Sequence, residues 1–372
     1  MFVSNEKQTS LLFLIVLSLL LLPFQSCTSD GNSHERLKLE KGFKMDKFAA
    51  GLGSPRFMAY SPDGVLFATI IKSGKVVALP DKNKDGKADK VITFLNGLKL
   101  PHGIKFHDGY LYIGETNRIV RYKYKDFKSG PGKREVVVPD LPAGGHRTRT
   151  ILFDTDGNMY VSTGASCNVC VENDKRRAAI MRYEADGSKG EIFATGLRNS
   201  VGMTVNPSTG EIWATDNGRD MLGDDLPPDE INIIKKGNNY GWPYCYGNRV
   251  PDPKFNSKEY CRKTTPALLE LQAHSAPLGL TFYSAKAFPD EYRGDLFVAY
   301  HGSWNRTVPT GYKVVRVKIT NGEPGTIQDF ISGWLEGGKS WGRPVDVIVG
   351  PEGGLYISDD KGGVIYRVYY SG

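Results

Sequence analysis

TILFDTDGNMYVSTG, Thr150 to Gly164, is the phrase on which the reading of the fold turns. One apolar run, Thr150 to Phe153, meets a second, Met159 to Ser162, across Asp154-Thr155-Asp156-Gly157. An Asp-Gly pair between two such runs is a strong hairpin signal, because glycine takes the positive φ that a tight turn demands. The phrase recurs as FMAYSPDGVLFATI from Phe57, GIKFHDGYLYIGE from Gly103, GMTVNPSTGEIWATD from Gly202, FPDEYRGDLFVAYHG from Phe288 and VIVGPEGGLYISDD from Val347. A third strand follows each, in chain order GKVVALP, RIVRYKY, AAIMRYEA, EINIIKK, YKVVRVKI and GVIYRVYY. The turn glycines are Gly64, Gly109, Gly157, Gly210, Gly294 and Gly354, so the intervals are 45, 48, 53, 84 and 60 residues.

A repeat of this length with several strands per unit predicts an all-β, six-bladed β-propeller, in which each blade buries its faces against its neighbours. A β-sandwich with a second domain has no reason to repeat six times, and no Pro/Ser/Gly linker divides residues 43–372, the span assigned to the propeller. The 372-residue composition agrees: Gly 43, Tyr 19 and Phe 17, without long runs of helix formers, favour short strands and tight turns. The long interval holds Asn238 to Leu271, rich in Tyr, Pro, Asn and charge, and is expected to be an elaborated loop over one face.

Before the repeats, Lys7 precedes an apolar run from Leu11 to Leu22 that ends in Pro23-Phe24-Gln25-Ser26-Cys27. The run is short for a permanent membrane span and reads as an export signal over residues 1–26. It resembles a bacterial lipoprotein signal in which Cys27 carries the lipid, although Phe24-Gln25 departs from that pattern and leaves simple secretion as the alternative. Residues 27–42 are expected to be a polar tether, and the location periplasmic or anchored at the outer membrane, with the lipid as the one membrane contact. Removing residues 1–26 takes away one Lys and one Glu, so the formal charge stays at +7. That excess suits an anionic ligand, and no Lys/Arg run is dense enough to argue for nucleic acid. Four further cysteines in an exported chain favour two disulfides, Cys167 with Cys170 and Cys245 with Cys261 by proximity, with zinc held by all four as the alternative.

In a propeller the starts of the inner strands converge on a central channel, so residues far apart in sequence can meet there. His146 follows Gly144-Gly145, whose backbone freedom lets it be aimed away from the strand direction. Arg198-Asn199, Asp216-Asn217-Gly218-Arg219, His301 to Arg306 and Arg343 occupy comparable places in other repeats. Several arginines directed at one channel are costly without an anion. His102, in LPHGI, also begins a blade and is a candidate to line the channel and touch substrate, with loop packing as the safer reading; His274, in AHSAPLG, is similar.

Taken together, PAGGHRTRTILFDTDGNMYVSTG, GLRNSVGM, DEINIIKKGNNYGWP, HSAPLGLTFY, HGSWNRTVPTGYKVVRV and RPVDVIVGPEGGLYISDDKGGVIYRV resemble the glucose/sorbosone dehydrogenase family over nearly the whole chain from Phe43 onward. The resemblance implies an exported six-bladed propeller that uses pyrroloquinoline quinone (PQQ) and calcium to oxidise a sugar, an aldose or a sorbosone-like one, and passes electrons to a cytochrome or quinone. It implies that His146 is the base for the substrate hydroxyl, that Arg198 and Asn199 bind the quinone, that Arg306 and Arg343 meet its carboxylates, and that the carbonyls of Gly218 and Arg219 hold the calcium. Three positions depart from the soluble glucose enzymes: Ala165 stands for an Asp, Trp304 to Arg306 lack a Lys, and Val345 follows Arg343 where those enzymes have a second Arg. These departures point to the sorbosone-like branch. A neutral histidine suits the base role, and the carboxylates of PQQ account for the arginines.

A second calcium signal lies at Asp81, Asn83, Asp85 and Asp89, spaced as positions one, three, five and nine of a calcium loop with Gly86 at six, but position twelve is Ile92 and not Glu. An Asx-rich turn is its alternative. Against the enzyme stand a non-catalytic propeller that binds glycan or protein, and a metal-dependent lactonase, which wants inward carboxylates where this chain offers cations.

Overall fold

The computed structural model describes residues 36–372. Six antiparallel sheets form the blades, each meandering outward from its innermost strand. Blade 1 comprises Pro55–Tyr60, Leu66–Ile70, Lys75–Leu79 and Ile92–Leu95, and blade 2 comprises Ile104–His107, Tyr110–Glu115, Arg118–Lys123 and Arg134–Val138. Blade 3 is Ile151–Phe153, Met159–Thr163, Ala179–Tyr183 and Glu191–Thr195; blade 4 is Met203–Val205, Ile212–Asp216, Asp229–Ile234 and Leu269–Leu271. Blade 5 runs Pro277–Phe282, Leu296–Tyr300, Lys313–Thr320 and Glu323–Ser332. Blade 6 takes three strands from the end of the chain, Pro344–Val349, Leu355–Asp359 and Val364–Tyr370, and its outermost, Phe43–Ala49, from the beginning. Pairing of Phe43 with Tyr370 therefore closes the ring with backbone hydrogen bonds.

The six turn glycines all lie between the first and second strands of their blades, and five have positive φ, from +74° at Gly109 and Gly210 to +90° at Gly294. In blade 6 the left-handed position is Gly353 (φ +89°), one residue before the expected Gly354. Because the strands are antiparallel, the start of each first strand lies beside the end of the second: Pro55 faces Ile70, Pro277 faces Tyr300, and Pro344 faces Asp359. Strand starts and second-strand ends thus share one face of the ring, while the turn glycines mark the other.

Blades adhere through apolar and aromatic packing, with Phe67 of blade 1 against Phe106 of blade 2 at 5.1 Å and Trp213 of blade 4 against Phe282 of blade 5 at 5.2 Å. A polar staple repeats near the channel. Hydroxyls of Thr69, Thr215 and Ser358, each on a second strand, donate to the carbonyls of His102, Leu278 and Arg56 in the next blade at 2.8, 3.0 and 2.6 Å. Each satisfies a buried carbonyl where two inner strands diverge.

Residues 238–271 form the elaborated segment, with a small hairpin (Cys245–Tyr246 with Val250–Pro251), a one-turn helix (Lys258–Arg262) and the Cys245–Cys261 disulfide. Cys167 and Cys170 form the second disulfide. The 27–42 tether ends earlier than expected: Leu37 is buried in the core, and Lys38–Leu39 adds a fifth strand to blade 5, because an apolar residue there can cover the blade edge. The signal segment 1–26, Cys27 and the tether to residue 35 lie outside the described residues. Among the described residues no helix is long and apolar enough to cross a membrane.

Candidate active site

At the strand-start face, a cavity of about 360 Å³ is bordered by residues from blades 1, 3, 4, 5 and 6, among them Arg56, His146, Arg198, Asn199, His301 and Arg343. Its volume falls in the range of small-molecule sites, about 300–1,000 Å³.

His146 is placed by its glycines. Gly144 and Gly145 have φ of +85° and +57°, and a Cβ on Gly145 would lie 2.5 Å from the Ala165 carbonyl. That carbonyl accepts from both the backbone N–H of His146 and its imidazole Nδ1, each at 2.9 Å. Nδ1 therefore carries the hydrogen, and Nε2, which has no protein partner, is the basic nitrogen. Where a carboxylate was missing at Ala165, the backbone of the same residue orients the ring. Burial first, then the positive field of Arg198, pushes the His146 pKa down to about 4, so the ring is neutral at ordinary pH. Gly164 keeps the space: a Cβ there would meet His146 Cβ at 2.6 Å and Asn199 Oδ1 at 2.7 Å.

Arg198 departs from its expected role. Its Nε donates to the Asn168 carbonyl (3.0 Å), Nη1 to the carbonyls of Asn217 (3.1 Å) and Gly218 (2.7 Å), and Nη2 to Asn168 Oδ1 (3.0 Å) and Asp220 Oδ2 (3.1 Å). All five donors are thereby used on the protein. Asn168 sits inside the small Cys167–Cys170 ring, so that disulfide holds one jaw of the clamp. Asp216 supports the segment from beneath, accepting from the backbone N–H groups of Arg198 (2.9 Å) and Asn199 (2.7 Å). Asn199 borders the cavity.

The Gly218–Arg219 carbonyl pair is not arranged as a calcium site. Gly218 O already accepts from the Arg198 guanidinium, a fixed cation that a second cation would have to displace. Arg219 does not border the cavity and pairs with Asp252 at 3.0 Å. Two further expectations are corrected. Arg306 borders no part of the cavity; its guanidinium is taken by the Asp224 carbonyl and Asp225. His102 is fully buried behind the wall, packed at a tilt of 43° against Phe57 with ring centroids 4.3 Å apart, its Nε2 3.3 Å from Arg56 Nη2; burial and then Arg56 hold its pKa well below normal. Packing, its alternative, is what it does.

Arg343 remains where it was expected. It donates through Nε to His301 O (3.0 Å) and through Nη2 to Gly302 O (2.8 Å), leaving Nη1 unspent. Three further residues complete this wall. Arg56 borders the cavity with a buried, unpartnered Nε; its Nη1 pairs with Asp360 at 2.7 Å, and the other Asp360 oxygen lies 3.0 Å from His301 Nε2. Arg56 stands immediately before Phe57, so reading the first repeat from Phe57 cut it off by one residue. Asp360 follows the end of a second strand, the same register as His301 in blade 5, which the repeat alignment could have flagged.

In the Asp81–Asp89 loop the side chains turn onto the loop itself. Asp81 accepts from Asp85 N (3.2 Å) and Gly86 N (3.0 Å), Asp85 from Lys87 N (2.8 Å), and Asp89 from Lys82 N (3.1 Å), while Asn83 Nδ2 donates to Asp85 (2.9 Å). No three acidic residues there bring their oxygens within 4.8 Å of one another, so the Asx-turn alternative describes the loop.

The residues present fit a small polyanion. Arg343 Nη1 is an unspent donor on one wall, Arg56 beside it has a buried Nε with no protein partner, and Arg147 adds a cation at the rim. Fold and site together define a propeller with a cationic cavity and a single-tautomer histidine. The chain belongs to the TrAA12-like family, whose model matches residues 37–371. An uncharacterized protein of Borreliella burgdorferi is 36% identical over 90% of this chain and 91% of its own. A pyrroloquinoline quinone-dependent sugar dehydrogenase of Hypocrea jecorina is 26% identical over 78% of this chain and 80% of its own. A calcium structure of a Trichoderma reesei enzyme of carbohydrate-active family AA12 superposes with a TM-score of 0.80 at 23% identity, covering 90% of this chain and 97% of that one. The chain is thus related to PQQ-dependent sugar dehydrogenases.

Proposed function

We propose that this protein is a PQQ-dependent sugar dehydrogenase that oxidises an aldose or sorbosone-like sugar at its hemiacetal or aldehyde carbon and hands the electrons to an external acceptor. The observation that carries the reading is His146: a neutral imidazole with Nδ1 fixed on Ala165 O and Nε2 free, bordering a cavity whose far wall holds unspent arginine donors. PQQ, when bound, supplies the electrophilic acceptor for the substrate hydride. Arg343 and Arg56 would meet its carboxylates, and Asn199 and Asn217, which border the same cavity, would offer amide groups. His146 Nε2 takes the hydroxyl proton as the carbon is oxidised, and the Ala165 carbonyl stabilises the imidazolium through Nδ1–H. Arg198 keeps that wall in place and bonds no ligand in this scheme. Calcium enters no step, since its expected carbonyl is held by Arg198. Export, with Cys27 as the lipid-bearing residue, belongs to the same proposal on the sequence of residues 1–27.

Reconstitution of the purified protein with PQQ, with and without calcium, followed by a screen of aldoses and sorbosone with an acceptor dye, tests the reading. At least one sugar should bleach the dye only in the presence of PQQ. Failure of calorimetry to detect PQQ binding under either condition would remove the cofactor and the function with it.

A further inference from the structure

His146 is not the one imidazole on the cavity. His301 borders it from blade 5, and its Nε2 lies 3.0 Å from Asp360 Oδ1. Arg56 binds the other oxygen of that carboxylate at 2.7 Å. Burial alone would raise the Asp360 pKa, but His301 and Arg56 together hold it well below the ordinary carboxylate range. An ionised Asp360 requires that Nε2 carry the hydrogen, which leaves Nδ1 as the basic nitrogen. His301 Nδ1 has no protein partner and is not among the buried unpartnered atoms, so it reaches open space. The groups facing the ring are Asp360, Arg343 and Arg56, and burial outweighs Asp360 in setting its pKa at about 4, so it too is proton-free at neutral pH.

His274 also borders the cavity, but its Nε2 is held by the carbonyls of Gly223 and Leu226 and its Nδ1 faces Asn305 Nδ2, so the two basic nitrogens without a protein partner are those of His146 and His301, matching a reaction that must release two protons. Oxidising a hydroxyl carbon to a carbonyl frees two electrons and two protons, and the hydroxyl proton is assigned above to His146. We propose that His301, oriented by Asp360, is the second proton acceptor of this cavity, taking a proton at Nδ1 when the reduced cofactor is reoxidised. In that half-reaction two molecules of a one-electron acceptor would take one electron each, and the hydrogen that left the sugar carbon as hydride would depart as a proton to His301 Nδ1; with the hydroxyl proton already held at His146 Nε2, this accounts for both protons, which pass to water at the cavity mouth. The carboxylate of Asp360 stabilises the imidazolium for that moment, while Arg56 prevents Asp360 from taking the proton itself. This inference rests on the proposed quinone chemistry but not on the choice of sugar.

The test therefore dispenses with sugar. PQQ-loaded protein is reduced with dithionite, freed of excess reductant, and mixed with ferricyanide, which accepts electrons and no protons; reoxidation is followed in water and in deuterium oxide. His301→Gln should slow reoxidation by about 10²-fold and abolish the solvent isotope effect, the usual share of a positioned base. Imidazole added to His301→Gly should restore the rate in proportion to its neutral form. An independent readout uses the protein without PQQ: nitrogen-15 shifts should show His301 protonated at Nε2 and bare at Nδ1, and Asp360→Asn should shift that tautomer balance while leaving His146 unchanged. Unaltered reoxidation in His301→Gln, or a hydrogen on Nδ1 in the wild type, overturns the proposal. Wild-type protein that reoxidises normally yet is reduced by no sugar would sink the sugar reading and leave this one standing.

Discussion

Arg198 and Arg343 border the same cavity from opposite walls, yet they spend their hydrogen bonds differently. Arg198, between blades 3 and 4, directs every donor at protein oxygens, four on carbonyl and amide groups and one on Asp220. Arg343, at the start of blade 6, bonds only the carbonyls of His301 and Gly302, and beside it Arg56 keeps a buried Nε unpartnered. A buried cation with all its donors on the protein acts as glue; one with donors to spare is open to an anionic ligand. The difference divides the labour. The first wall fixes the proton acceptor, and the second receives the ligand.

The largest expected effect concerns what the first wall holds. His146→Ala should retain PQQ, because the cations of the opposite wall remain, while single-turnover reduction of the cofactor by sugar falls about 10²- to 10⁴-fold. Equal rates at matched PQQ occupancy would mean that His146 only packs. Next, Arg198→Ala should cost about 3–5 kcal/mol of stability, since it strands the carboxylate of Asp220 and several carbonyls. Chemical denaturation of the PQQ-free protein measures this, and a loss confined to PQQ affinity would show that Arg198 is a ligand and not a clamp. Arg343→Ala should do the converse, weakening PQQ binding by about 1.5–3 kcal/mol, the scale of a charge-assisted hydrogen bond, with little change in the denaturation midpoint. If calorimetry found Arg198→Ala the more damaging to PQQ and Arg343→Ala the more damaging to the fold, the two walls would have been assigned the wrong way round.

The architecture was legible because it is written six times: each repeat carries its own hairpin, and an error in one is corrected by the other five. Gly353 taking the turn position in place of Gly354 changes nothing else. The site is written once, and there the reading was uneven. His146 was visible because two glycines precede it, and Arg343 because it precedes an inner strand. His102 precedes one equally well, but it lies behind Arg56, and which of two adjacent side chains faces the channel depends on the blade's twist and not on spacing. The roles of Arg198 and Gly218 failed for a related reason. Position brings them to the cavity, but whether a guanidinium faces a ligand or a carbonyl depends on Asn168, thirty residues away in a disulfide ring. Such acceptors leave no mark in the periodicity of either segment.

The smallest effect, and the one that separates the walls most directly, is the pH dependence of stability. Burial pushes the carboxyls of Asp229 and Glu230, beneath the first wall, up to about 7 from ordinary values of 3.8 and 4.5. A raised carboxyl pKa means that the fold prefers the protonated form, so the stability these groups contribute is complete below about pH 4 and is lost as pH rises through about 7. Asp360 on the second wall is shifted the opposite way, held low by His301 and Arg56 against the effect of burial, so its contribution is present above about pH 4 and is lost in acid. The two histidines work against the raised carboxyls: depressed to about 4 from 6.5, they favour folding above about pH 6.5 and weaken it as pH falls to about 4. Between about pH 4.5 and 6.5 the two histidines and the two carboxyls offset one another, so the midpoint of thermal unfolding should be level there, decline below about pH 4 as Asp360 is protonated, and slip again between about pH 6.5 and 7 as the raised carboxyls ionise. Asp360→Asn should flatten the acid decline and leave the alkaline one in place, because the groups responsible for the two limbs sit on different walls. A variant in which both limbs changed together would show that the walls titrate as one network and that the division between them is only geometric.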